Sequence, residues 1–330
     1  MTPDQPLIDF AREAGLTRAG DDGRWSPLGG GVSSDIWRLD AGGRSYCVKR
    51  ALGRLRVAAD WTAPTSRNLY EWRWFKTVGE RFPDFVPAMV ALDETRGVLA
   101  MDFLEPADHV LWKAELLAGR VDVAAAAEAG GRLGQIHAFT ADRADIAARF
   151  DTDPLFHALR LDPYLLAAAE RRPEVGDALR ALVARTAGVH RALVHGDVSP
   201  KNILLGPSGP VFLDAETAWY GDPAFDLAFC LNHLLLKRIV VEAAEALSAS
   251  FDAFAGAYLA QVAWEPPADL EARAASLLPG LLLARVDGKS PVEYLTRDDQ
   301  KDLVRSVAVP LLRAPPTTLA QVKQSCTAFK

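Results

Sequence analysis

Between Trp25 and Ala51 the chain alternates. Ile36, Trp37, Arg38 and Leu39 step in period two, Tyr46, Cys47, Val48 and Lys49 do so again, and Asp40, Ala41, Gly42 and Gly43 lie between the two runs. Alternation on both sides of a glycine turn predicts a hairpin, and the segment opening at Trp25 adds a strand before it, so the stretch reads as a meander. Ahead of it, FAREAG reads as helical. After it, a helix is expected from Ser66 as N-cap, with Leu69, Trp72 and Phe75 on one face and Gly79 as its stop. GVLAMDFLEP then reads as a buried strand running into a connector. Beyond it the spacing becomes helical and rich in alanine in DVAAAAEAGGRLGQIHAFTA, DPYLLAAAERR, EVGDALRALVART and EALSASFDAFAGAYLAQV. His137, inside the first of these, is expected to pack and not to react.

One stretch breaks this regularity and concentrates chemistry. RALVHG is a short apolar run closed by glycine, VSPK breaks at Pro200, NILLG resumes, and GPVFLD follows the turn GPSGP. We read a loop carrying Asp197, then a hairpin whose far end carries Asp214. An aspartate, the amide of Asn202 and a second carboxylate supply a proton acceptor and hard-oxygen metal ligands of the kind Mg²⁺ takes. Phosphoryl transfer from a nucleotide needs that set, because it asks a protein to orient a hydroxyl, hold the metal and neutralise charge.

Composition adds limits. A length of 330 residues at 49% hydrophobic allows a large core and two lobes, and a net charge of −6 speaks against a nucleic-acid partner. Cys47, Cys230 and Cys326 form neither a disulfide framework nor a zinc pattern, so a reduced, cytoplasmic protein is expected. No leader and no membrane span are expected, since the apolar segments are short and broken by proline or charge.

HGDVSPKN followed by LDAE resembles the motifs of the aminoglycoside phosphotransferase and choline kinase superfamily. The resemblance implies an α+β, two-lobed, protein-kinase-like fold: a small antiparallel β-sheet N-lobe over residues 1–103 that binds nucleotide, and a mostly helical C-lobe over 104–330 with the catalytic loop, metal site and acceptor pocket. It implies ATP and Mg²⁺ as cofactors, Asp197 as the base, Asn202 and Asp214 as metal ligands, and Glu216 as a further metal or acceptor carboxylate. GGGVSSDIW resembles the superfamily's nucleotide loop, placing Gly30, Gly31, Ser33 and Ser34 at phosphate, where glycine lets backbone amides approach. Lys49 would contact the α- and β-phosphates. Glu71, with Glu80 as competitor, would orient it, and Met101, Asp102 and Leu104 would border adenine.

Only residues 215–225 separate Asp214 from Asp226, the residue that in kinase-like folds begins a buried helix and braces the catalytic loop. That leaves no room for a long activation segment, so a small-molecule hydroxyl acceptor is expected. Glu216, Ala218, Tyr220, Gly221, Phe225, Asp226 and Ala228, with VKRAL around Lys49, resemble the methylthioribose kinase branch, from which the chain departs at Asn202 and in lacking paired arginines near its C-terminus. In their place stand Arg285, Asp287 and Lys289, whose mixed charge suits a polar or anionic acceptor; Trp219 is a candidate pocket wall. The expectation is transfer of the ATP γ-phosphoryl group to a hydroxyl of a sugar-like metabolite or antibiotic. Open beside it stand an aminoglycoside acceptor, a nucleotide-binding module without turnover, and a protein kinase.

Overall fold

The computed structural model describes residues 2–18, 20–29, 34–53 and 64–329. They divide into two compact units, Met1–His109 with Leu213–Glu216, and Val110–Phe212 with Thr217–Lys330. We call these the sheet unit and the helical unit.

The alternating segment forms β1 (Arg24–Pro27), β2 (Ser34–Ala41) and β3 (Arg44–Ala51); β4 (Met89–Asp93) and β5 (Val98–Asp102) complete an antiparallel sheet of order β1-β2-β3-β5-β4. Gly42 and Gly43 close the β2–β3 hairpin at φ of 59° and 79°. A type I′ hairpin turn needs both central residues in this left-handed region, which glycine enters without a Cβ penalty. Period two then sorts the faces. Trp37, Leu39, Ala41, Tyr46, Val48, Val98 and Ala100 pack against Leu7, Phe10 and Ala11 of α1 (Gln5–Glu13). Lys49, next to Val48, therefore stands on the other face.

On α2 (Arg67–Gly79) the structure differs from the sequence expectation. The helix ends at Gly79 as predicted, but Ser66 has helical dihedrals (φ −58°, ψ −13°) and makes no capping bond. The buried face is not that of Leu69 and Trp72; it holds Asn68, Glu71, Trp74, Phe75 and Val78, with Arg67. The rotation has a cause. Asn68 Nδ2 donates to the Gly97 carbonyl at 2.8 Å and to that of Lys49 at 3.2 Å, so its burial replaces water with backbone acceptors.

In the helical unit, β7 (Ala192–Val194) pairs with β10 (Trp219–Gly221), and β6 (Val110–Leu111), β8 (Ile203–Gly206) and β9 (Gly209–Phe212) form a second antiparallel sheet. The predicted hairpin is β8–β9, with Ile203 opposite Phe212. Helices supply the remaining bulk. α3 (Val123–Thr140) packs on α5 (Ala244–Leu259) through Gly134, where a Cβ would come within 2.9 Å of the Tyr258 carbonyl. Between them in sequence, α4 (Ala224–Lys237) is buried at every position, and it packs on α6 (Pro267–Asp287). A helix apolar all round belongs to a core, so its polar residues need reasons of their own. A wide-turn π-helix spans His157–Leu166.

Candidate active site

In the sheet unit the site is built around Lys49. Its Nζ lies 2.8 Å from Glu71 Oε2, touches Asp214 Oδ1, and stands 4.0 Å from Glu216 Oε2. Glu71 is therefore the partner, and Glu80 sits exposed past the end of α2. Glu216 is in turn held by Arg67 Nε at 3.0 Å, while Arg67 also donates to the carbonyls of Leu52 and Pro64 at 2.7 and 2.9 Å. Burial pulls the Lys49 pKa down, but Asp214 and Glu71 outweigh it and leave the ammonium held above its ordinary value. For Glu71, burial raises the pKa, and Lys49 only partly opposes it. Asp214 follows β9 with φ of 64°. A non-glycine residue in this region costs about 1–3 kcal/mol and clusters at functional sites.

Met101 is buried in β5, Cα-paired with Cys47. The Asp102 N–H is used on the Ala88 carbonyl and that of Phe103 on the Ser45 carbonyl, whereas Leu104 N–H donates to no described group. Asp102's carboxylate pairs with Arg44 at 2.7 Å. Ser34 opens β2 with its hydroxyl buried. Gly30, Gly31 and Ser33 lie outside the described residues.

In the helical unit a tight loop presents Asp197. Asp226, near the start of α4, accepts the His195 N–H at 2.7 Å and the Gly196 N–H at 2.9 Å, and its carboxylate lies 3.3 Å from His137 Nε2. His137 is thus a packed residue, its Nδ1 2.7 Å from the Tyr258 hydroxyl. Gly196 sits at φ 80°, and a Cβ there would meet the Thr217 carbonyl and hydroxyl at 2.6 Å. Asp197 Oδ2 is held by Arg160 Nη2 at 3.1 Å and Lys201 Nζ at 3.0 Å. Asn202 Nδ2 donates to the Asp197 carbonyl at 3.0 Å, which fixes the carboxamide so that Oδ1 is the atom left to act as a ligand.

The structure parts the three late charged residues. Asp287 is enclosed by Arg305 at 2.7 Å and Arg172 at 2.6 Å, Lys289 pairs at the surface with Asp162 at 2.8 Å, and Arg285 is buried against Tyr164 with no carboxylate partner among the described residues. Trp219 is core, stacked on Phe156 at 4.2 Å with its indole N–H on Asp153. Sequence reasoning missed Arg67, Arg160 and Lys201. Lys201 stood inside the motif itself; Arg67 and Arg160 gave no local signal, because their carboxylate partners lie far away in sequence.

The sheet with its buried lysine–glutamate pair, and helices around an aspartate loop braced from a buried helix, define the α+β architecture of kinase-like proteins. Solved structures share it: amicoumacin kinase hAmiN in complex with AMP-PNP, Ca²⁺ and Ami superposes with a TM-score of 0.58 at 14% identity over 98% of this chain and 97% of its own. A choline kinase from Cryptosporidium parvum Iowa II gives 0.56 at 10% identity, again over 98% and 97%. The phosphotransferase enzyme family model (APH) matches residues 24–267, and the chain belongs to that family. Methylthioribose kinase of Yersinia enterocolitica serotype O:8 is 29% identical over 244 residues, 64% of this chain and 59% of its own length. Methylthioribose kinase 1 of Oryza sativa subsp. japonica is 24% identical over 229 residues, 60% and 52%. The chain thus spans less than two thirds of the length of these relatives. No helix among the described residues is long and apolar enough to cross a membrane.

Proposed function

We propose that this chain transfers the γ-phosphoryl group of ATP to a hydroxyl of a small polar molecule. The observation that carries the reading is Lys49, a buried ammonium shared by Glu71 and Asp214, the arrangement of a lysine kept charged and aimed for phosphate. Leu104's uncommitted N–H, beside Met101 and Asp102, suits a base edge.

Asp197 is the proton acceptor for the attacking hydroxyl: its oxygen bonds to phosphorus as the bond to the ADP oxygen breaks, and the proton passes to the carboxylate. Arg160 and Lys201 hold that carboxylate in one orientation. Asn202 and Asp214 fit a hard divalent cation, Mg²⁺ in our reading, since the fixed amide oxygen and a carboxylate are both oxygen donors. The ion would neutralise phosphate charge. Glu216, held by Arg67, orders the Lys49 surroundings. We place the acceptor contact on Arg285 and leave Asp287 and Lys289 to their own ion pairs. The three cysteines are free, in keeping with the cytoplasm.

Asp197→Ala should abolish transfer while nucleotide binding survives, since removing a general base typically costs about 10²- to 10⁴-fold in rate. ADP release over a panel of hydroxyl compounds, methylthioribose and aminoglycosides included, measures it alongside ADP binding. Turnover within about tenfold of wild type would refute the assignment. Nucleotide binding without turnover of any acceptor would favour a binding module.

A further inference from the structure

Arg285 and Lys237 are buried cations of the helical unit that, among the described residues, have no counter-ion. Arg285 is 7% exposed; its Nη1 donates to the Tyr164 hydroxyl at 2.9 Å and to Ser290 at its carbonyl (2.6 Å) and hydroxyl (3.2 Å), and its Nε is buried without a described partner. Lys237, the last residue of α4, is 1% exposed, with Nζ 4.7 Å from the centre of the Tyr294 ring. Among the described residues no carboxylate lies within 4.0 Å of either. One turn before Lys237, His233 meets the Tyr294 hydroxyl through Nδ1 at 3.2 Å, and its Nε2 is buried with no described partner.

The surroundings do not compensate. Asp197 is taken by Arg160 and Lys201, and Glu293 by Lys113. Burial, and then Arg285, Lys237, Lys201 and Lys113, hold the His233 pKa well below its ordinary value. Buried charges are normally paired, because removing an ion from water costs several kcal/mol that only an opposite charge or good hydrogen bonds offset. Here the cations accumulate with donors to spare. Arg285 also reaches toward Asp197 through Tyr164 and Arg160: it lies 5.3 Å and Arg160 5.7 Å from the centre of the Tyr164 ring, and Arg160 holds Asp197.

We propose that the acceptor whose hydroxyl meets Asp197 carries an anionic group, a carboxylate or a phosphate, received by Arg285, Lys237 and His233. This rests on the phosphotransfer reading and narrows its substrate. An anion supplies the missing counter-charge to both cations and an acceptor to the unused Arg285 N–H. With the Tyr294 hydroxyl donating to Nδ1, His233 Nε2–H gains an acceptor as well. A polycationic acceptor would meet repulsion in the same place.

Matched acceptor pairs test it with ATP and Mg²⁺: D-gluconate against D-glucose, D-ribose 5-phosphate against D-ribose, and kanamycin as the cation. We expect ADP release with an anionic member at a kcat/KM about tenfold or more above its neutral partner, the size of one charge-assisted hydrogen bond. The two pairs separate carboxylate from phosphate. Arg285→Met and Lys237→Met should lose the preference while the KM for ATP holds, and Arg285→Lys should restore part of it, which a merely structural role would not do. A second arm needs no turnover. Inorganic phosphate, sulfate and gluconate should each raise the melting temperature of the ADP-loaded protein saturably over chloride at equal ionic strength, and Lys237→Met should remove the gain. Preferred turnover of a neutral or cationic member overturns the proposal and leaves phosphotransfer standing. So does the absence of any saturable anion effect. Failure of wild type to bind ADP overturns the phosphotransfer reading, and this proposal with it.

Discussion

Replacing Asp226 by asparagine should loosen the Asp197 loop without touching Asp197. The wild-type carboxylate accepts two buried backbone N–H groups, from His195 at 2.7 Å and Gly196 at 2.9 Å. Asparagine has the same shape but only one acceptor atom, so its NH₂ must point at one of the two donors. A hydrogen bond to a charged group contributes about 1.5–3 kcal/mol, and a buried donor left unsatisfied costs about 1–3 kcal/mol. Because those two costs overlap, losing one charged bond and weakening the other comes to about 2–5 kcal/mol of local stability. At about 1.4 kcal/mol per decade, hydrogen exchange of the peptide over residues 192–198 should accelerate about thirtyfold to several thousandfold. Mass spectrometry of that peptide, with one from α1 in the sheet unit as control, reads it directly. Loop amides within about threefold of wild type would show that Asp226 does not brace the loop.

If Asp214 is the metal ligand proposed above, Asp214→Ala should remove the divalent-cation dependence of nucleotide binding, because the phosphate charge would then lack its metal; titration of a non-hydrolysable ATP analogue with and without Mg²⁺ measures it, and unchanged metal dependence would exclude Asp214 as a ligand. Lys237 gives a pH prediction. Burial and then Lys113 hold its pKa down to about 7, below the ordinary 10.5, so between those values the unfolded chain binds the extra proton and folding stability rises with pH. Lys237→Met should abolish that rise; urea unfolding of both proteins at about pH 7 and about pH 9.5 reports it, and a stability gap independent of pH would contradict the assignment.

The sheet and the Asp197 loop were readable in sequence because their determinants are local. Period two and the Gly42–Gly43 turn belong to one short stretch, and Asp197, Asn202 and Asp214 lie close together in sequence, in a loop and at the two ends of the hairpin that follows it. The buried face of α2 was not readable, since apolar spacing cannot see a face whose residues are buried through partners elsewhere: Glu71 by Lys49, and Arg67 by Glu216. Arg160 was hidden for the same reason, sitting on a π-helix whose turn differs from the period used to read it. His233 and Lys237 did leave a signal. A histidine and a lysine inside FDLAFCLNHLLLK, otherwise almost wholly apolar, contradict the burial that their neighbours demand.

α4 bears Asp226 near one end and Lys237 at the other. At 1.5 Å per residue, His233 lies about 10 Å and Lys237 about 16 Å along the axis from Asp226. The helix is therefore a yardstick. It holds the Asp197 loop at one mark and the cation at another, and a packed helix does not stretch. Shifting the positive charge from position 237 to 233, by Lys237→Met with His233→Lys, shortens the gauge by about 6 Å. Acceptor length on such a scaffold becomes a matter of which turn carries the charge, adjustable in steps of about 5.4 Å with the Asp197 loop left in place.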